Sequence, residues 1–268
     1  MLRHNRLLLT LLPLLFTACP RVPIDFGKEG EARSAEELLK RVELAESTVI
    51  GVKGDGRLSV DSPQGKGSVT LFVGVFHPAY IHIEQLDFFG KPQGVLTTDG
   101  TTFGLYDATE NKYLHGPATA PNLGRFLPLV VPPPELASLL LGRAPRIPYD
   151  SAAMEVDFEH RVYVVRLSKG LAVQRLEVDP ATSRVLKSQV TGITAYDAEF
   201  SELTPFPKGV SYPKHIVIES KSAKTRVELT TKDIEVNQEL DLTLYETTGP
   251  EGVPVIEVDE RGDARSAP

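Results

Sequence analysis

A single cysteine, Cys19, stands in 268 residues, and tryptophan is absent. One cysteine cannot close an internal disulfide, and without a second thiolate a cysteine-bound zinc is excluded. Basic charge is also short: 29 Lys and Arg face 36 Asp and Glu, a formal net charge of −7. That balance argues against nucleic acid, which selects basic faces, and against a polybasic hold on anionic lipid. The apolar run from Leu7 to Ala18 is too short to span a bilayer, which takes roughly twenty residues. Signatures of catalysis are missing too. His77, His82, His115, His160 and His215 form no His-Glu-x-x-His pair, and His77 and His82 have opposite strand parity. Gly65-Lys66 lacks the flanking residues of a phosphate-binding loop, and no Gly-x-Ser-x-Gly elbow occurs. Asp87, Asp99 and Asp107 flank turns, where aspartate is favoured for local hydrogen bonding. No catalytic residue, metal ligand or cofactor is therefore assigned.

What the chain does have begins at its start. Arg3 and Arg6 precede the apolar run, and small residues follow it, the pattern of a secretory signal peptide. Phe16-Thr17-Ala18-Cys19 resembles the bacterial lipobox, in which the cysteine sulfur receives a diacylglycerol and becomes residue one. Residues 1–18 are thus expected to be a lipoprotein signal peptide, and Cys19 the site of lipid attachment. Several acyl chains on one residue hold a protein to a membrane, at about 0.8 kcal/mol per buried CH2. Pro20, rather than aspartate, follows the cysteine, which leans toward the outer membrane. Loss of Arg3 and Arg6 with the leader takes the net charge from −7 to −9.

Residues 19–33 read as a flexible tether rich in proline, glycine and charge. Ser34-Ala35-Glu36-Glu37 is a capping box, and Leu38, Leu39, Val42, Ala45 and Val49 share one face of a helix over 34–48. Short alternating segments follow: "IHIEQL" sets Ile81 and Ile83 against His82 and Glu84, and "TRVELT" and "LDLTLY" repeat the pattern. Period two with polar residues between predicts antiparallel strands with one wetter face. Turn signals at Pro63-Gln64-Gly65, Asp99-Gly100, Ser168-Lys169-Gly170 and Asp179-Pro180 separate about eleven strands. One interruption, "PNLGRFLPLVVPPPELASLLLGRAP", predicts a proline-led helix ending at Gly142, apolar on more than one side. Residues 259–268 read as a disordered polar tail. The class is mainly β (α+β). Two architectures remain open: helices covering a curled sheet, or helices outside a closed barrel.

Several stretches resemble the LolA/LolB family, carriers and receptors that move lipoproteins to the bacterial outer membrane. "GRLSV" (residues 56–60) is similar to the opening LolB strand, and "TTDGTTFGLYD" to the family's Asp-Gly turn followed by an aromatic and a tyrosine, here Phe103 and Tyr106. "LASLLLGRAP" is similar to the LolB helix ending in Gly-x-Pro, with Pro145 one position late. Asn237 and "PEGVPVI" resemble the LolA finish. The resemblance spans residues 34–258. The chain departs from the family in having no tryptophan and in carrying His77-Pro78 where LolA has an arginine-proline latch.

The resemblance implies a curled antiparallel half-barrel with two or three helices over its concave face and an apolar cavity for acyl chains. Candidate lining residues are Leu38, Leu39 and Val42 from the first helix, Leu136, Leu139 and Leu140 from the second, and Ile81 and Ile83 from the sheet. Phe88 and Phe89 lie side by side at a Gly90/Pro92 turn, and the resemblance makes that turn a membrane-facing loop. Lipid acyl chains or lipoproteins are the implied ligands, with a periplasmic LolA-type carrier as partner and the membrane reached through the lipid anchor. Another lipid or glycolipid cargo, and a structural or sensory envelope protein without an open cavity, are the alternatives.

Overall fold

From Gly51 onward, alternating apolar and polar residues build a single sheet in the computed structural model, which describes residues 23–192 and 195–265. Cys19 and the leader lie outside the described residues. Helix α1 (Ala35–Ser47) comes first. Six strands follow: β1 (Gly51–Ser62), β2 (Gly65–Phe76), β3 (Tyr80–Leu86), β4 (Pro92–Thr98), β5 (Thr102–Asp107) and β6 (Lys112–Pro117). Short helices α2 (Ala120–Leu123) and α3 (Pro133–Leu140) interrupt the meander. It resumes with β7 (Ser151–Asp157), β8 (Val162–Lys169), β9 (Ala172–Val178), β10 (Val185–Thr191), β11 (Asp197–Phe206), β12 (Val210–Ser220), β13 (Thr225–Val236) and β14 (Val255–Glu257).

The sheet order is β14-β6-β5-β4-β3-β2-β1-β13-β12-β11-β10-β9-β8-β7. Pairing is antiparallel throughout, except that β14 lies parallel to β6. Edges β7 and β14 do not pair with each other, so the sheet is an open half-barrel rather than a closed barrel. It has fourteen strands where about eleven were expected. The surplus falls after the helices, where eight strands stand among the described residues.

The sheet has two ends. The β2–β3, β4–β5, β9–β10 and β11–β12 turns lie at the lower end, where β1 begins. The β1–β2, β3–β4, β8–β9 and β12–β13 turns lie at the upper end. Helix α1 forms because Ser34 Oγ accepts the Glu37 amide at 3.2 Å. The reciprocal arm of the capping box is displaced by one residue: Glu37 reaches the Arg33 amide, not that of Ser34. Leu38, Leu39 and Val42 are fully buried, each contributing about 1.5–3 kcal/mol. At the other helix, Gly142 follows α3 at φ +70°, with Pro213 Cδ 2.5 Å from where a Cβ would stand. Only glycine serves there.

Three sequence expectations change. "LDLTLY" is not a strand: Asp241 accepts the Thr243 amide at 3.1 Å and its hydroxyl at 2.7 Å, capping a 3-10 turn over Leu242–Tyr245. That local capping competes with strand pairing. The turn belongs to a strap crossing the outer face, where Leu244 packs on Gly74 and Tyr245 meets Tyr80 edge-on at 5.4 Å. His82 and Thr97, outward by parity, are therefore buried. The stretch read as tether is docked where it is described: Phe26 lies on Tyr163 and the Ala32 amide donates to the Tyr163 hydroxyl at 2.7 Å. The stretch read as a disordered tail is ordered through Arg265, with Asp259 accepting the Arg261 and Asp263 amides and Val258 bridging to Ala264.

Candidate functional site: an apolar interior between sheet and helices

The concave face of the sheet is aliphatic because every second residue of its central strands points inward. Leu58 from β1, Leu71 and Val73 from β2, Ile83 from β3, Ile216 and Ile218 from β12, and Val227 and Leu229 from β13 meet Leu127, Leu129, Leu136 and Leu140 of the helical segment. These twelve side chains enclose a void of about 10 Å³, room for about one water molecule. The lining offers no hydrogen-bond partner from a side chain, so such a void stays dry.

All eight predicted lining residues are buried. Ile83, Leu136 and Leu140 line the void; Leu38, Leu39, Val42, Ile81 and Leu139 pack in the surrounding core instead. Sequence reading missed the linings from β1, β2, β12 and β13, although they carry the same period-two signal. It also missed Leu127 and Leu129, which sit in a loop where periodicity has no meaning.

That loop, residues 124–132, is the weak side of the enclosure. The Leu129 amide bonds the Leu127 carbonyl at 2.6 Å, and the Phe126 and Leu127 amides reach back to Leu123. None of these bonds crosses to the sheet. Leu127, Leu129 and Val131 are nonetheless buried, so side-chain packing holds the loop against the sheet, while Arg125 at its start donates to the Gly262 carbonyl.

The lower end is held differently. Arg184 donates to the Ala45 carbonyl at 2.8 Å and to the Gly142 carbonyl at 3.4 Å. Arg143 donates to the Val49 carbonyl. Glu46 accepts the Ala144 amide at 3.2 Å, and Tyr212 donates to the Leu140 carbonyl at 2.9 Å. The ends of α1 and α3 are thereby tied to each other and to the sheet. Burial pushes the Glu46 carboxyl above the ordinary range, opposed by the Ala144 amide and the nearby arginines. Burial likewise lowers Arg184 and Arg143, with Glu46 opposing. No sequence pattern announced this cluster, since its members lie far apart in the chain.

At the upper end, Phe88 and Phe89 project from the β3–β4 turn at 95% and 83% exposure. Asp87 Oδ1 accepts the Phe89 and Lys91 amides, both at 2.8 Å, and Gly90 takes φ +76°. The rings meet edge-to-face at 5.5 Å. The turn is thus a built feature presenting two aromatic rings to solvent. Larger clefts of about 570 and 360 Å³ open elsewhere, but Lys53, Asp55 and Glu235 line one and Asp241 and Glu246 the other, which suits hydrocarbon poorly.

Among the described residues, no three His, Cys, Asp or Glu side chains converge in a way that could hold a metal. No helix among them is long and apolar enough to cross a membrane. His82 bonds Thr97 Oγ1 at 3.0 Å and Glu84 Oε1 at 2.7 Å.

No protein-family model and no curated protein matches the chain. Solved structures do. A putative outer membrane lipoprotein-sorting protein domain from Vibrio parahaemolyticus superposes with a TM-score of 0.54 at 11% identity, covering 79% of this chain and 97% of that one. A LolA superfamily protein from Nitrosomonas europaea gives 0.51 at 11%, covering 80% and 98%. A DUF1329 family protein from Desulfovibrio piger gives 0.54 at 10%, covering 79% and 95%. The fold is therefore LolA-like: an open, curled antiparallel sheet with helices over its concave face.

Proposed function

We propose that this is a binding protein of the bacterial envelope, not an enzyme, that holds acyl chains between sheet and helices. The observation that carries this reading is the wholly aliphatic interior, closed over by a loop that no backbone bond ties to the sheet. Acyl chains are the occupant because the lining offers hydrocarbon contact and no directional chemistry. In this reading Cys19 carries a lipid, the protein faces the periplasm from the outer membrane, and it accepts or inserts lipoproteins there. A periplasmic LolA-type carrier is the donor, and Phe88 and Phe89 contact lipid. The sorting role in the description of the Vibrio domain supports this, as does the fold.

Magnitudes say which part moves. Exposing Leu127 and Leu129 costs about 3–6 kcal/mol, whereas burying a dozen methylenes returns about 10 kcal/mol. Lifting Leu136 and Leu140 as well brings the cost close to the gain. Only the loop need yield, and the binding left over is weak enough for hand-over.

The test is displacement of a fluorescent fatty acid from the full chain carrying Cys19→Ala, with mass spectrometry of co-purified lipid. Saturable binding and acyl lipid in the preparation are expected; absence of both overturns the proposal. A second reading, a structural or sensory envelope protein without an open cavity, is favoured by the small size of the void. Absence of binding selects it. A co-purified glycolipid, or a lipid other than a lipoprotein, redirects the cargo while keeping the site.

A further inference from the structure

The two mouths of the half-barrel are closed by different physics. Buried polar bonds from Arg143, Arg184, Glu46 and Tyr212 tie the lower mouth. Opening it breaks several bonds at once, those from the arginines and to the Glu46 carboxyl being charge-assisted and costing about 1.5–3 kcal/mol each. The upper mouth carries a groove of about 210 Å³, lined mostly by apolar side chains that include Val60, Val69 and Phe126, with Gln85 at its polar side. Leu58 and Leu71 belong to both this groove and the enclosed void, so the two spaces share a wall. Phe126, in the loop 124–132, forms part of the groove's wall. Phe126 Cε2 lies 3.2 Å from where a Cβ on Gly94 would be, so the ring occupies space that the glycine leaves empty. Phe126 belongs to no helix or strand, and its amide bonds only back to Leu123, at 3.1 Å.

The geometry points to one-sided loading: an acyl chain enters through the upper mouth, seats in the Val60–Val69 groove, and reaches the void when Phe126 leaves Gly94. The chain's polar head stays at the rim beside Gln85. The lower mouth remains shut throughout. This rests on the acyl-binding reading above. The occupant is one acyl chain because the groove shares Leu58 and Leu71 with a dry, aliphatic space. It opens at the rim that carries Phe88 and Phe89, with Gln85 in the strand leading to their turn.

The absence of tryptophan makes the test direct, because an introduced indole is the only one present. Phe126→Trp and Gln85→Trp report on the upper mouth; Ile50→Trp, at a half-exposed site, reports on the lower. Each is made in the full chain carrying Cys19→Ala and titrated with a stearic acid brominated at mid-chain. Loss of emission is expected from the two upper reporters and unchanged emission from Ile50→Trp. Gln85→Trp keeps the test valid if the larger ring at 126 disturbs folding. Quenching of Ile50→Trp equal to that of the upper reporters overturns one-sided loading. If the parent chain binds a fluorescent fatty acid but neither upper indole is quenched, the loading route falls and the acyl-binding reading stands. If the parent chain binds no fatty acid, both fall.

Discussion

Glu46, on the last turn of α1, accepts the backbone amide of Ala144 at 3.2 Å across 98 residues of sequence. The carboxylate is buried beside Arg143, Arg146 and Arg184, and burial raises its pKa from 4.5. In the window between 4.5 and the raised native value, the native state holds a proton that the unfolded chain has released. Stability therefore falls as pH rises through that window. Glu46→Gln keeps an acceptor for Ala144 and removes the proton. Denaturant titrations from pH 4 to 8 are expected to show a flatter slope for Glu46→Gln than for the parent.

Arg184 ties α1 to the residue after α3 through two carbonyls. Arg184→Met fills similar volume, removes both bonds and the positive charge near Glu46, and leaves the Gly142 carbonyl without its donor. A loss of about 3 kcal/mol is expected in urea unfolding. An unchanged midpoint shows that the lower end is held by packing alone.

Leu136 is fully buried and lines the void. Leu136→Ala is expected to cost about 3 kcal/mol, the usual consequence of emptying a packed site. It also enlarges the void, so the same protein should recover stability on addition of a small apolar ligand such as benzene. Thermal unfolding with and without benzene reads both effects.

Phe88 and Phe89 touch little beyond each other, so their double replacement by serine is expected to change stability by less than about 0.5 kcal/mol. Flotation with phospholipid vesicles should nonetheless fall, since each inserted ring contributes about 1.5–3 kcal/mol. Undiminished flotation removes these rings from lipid contact. Lost stability shows instead that they support the sheet rim.

Gly142 takes φ +70° against Pro213. Gly142→Ala adds both backbone strain and a collision, and is expected to cost more than about 1 kcal/mol. Its effect on circular-dichroism melting should exceed that of Gly65→Ala, at a positive-φ glycine with open space around it.

The sequence made the fold legible where physics is local. Ser34 and the spacing of Leu38, Leu39 and Val42 determined α1, and the alternation around Ile81, Ile83, Val227 and Leu229 determined which strand faces are apolar. Asp99-Gly100 and Gly142 determined where elements stop. The same locality misled at "LDLTLY", where an aspartate bonding its own neighbours outweighs alternation.

Tertiary structure alone decided the rest. Apolar faces have the same sequence pattern whether they pack together or stand apart, so only the curvature of the sheet set the void at about 10 Å³. Only the folded chain brought Leu127 and Leu129 onto that face from a loop with no period, and only it brought Glu46, Arg143 and Arg184 together. Alternation and capping act between residues a few positions apart. Volume, enclosure and the pairing of distant charges depend on the whole path of the chain, and no short stretch of sequence carries them.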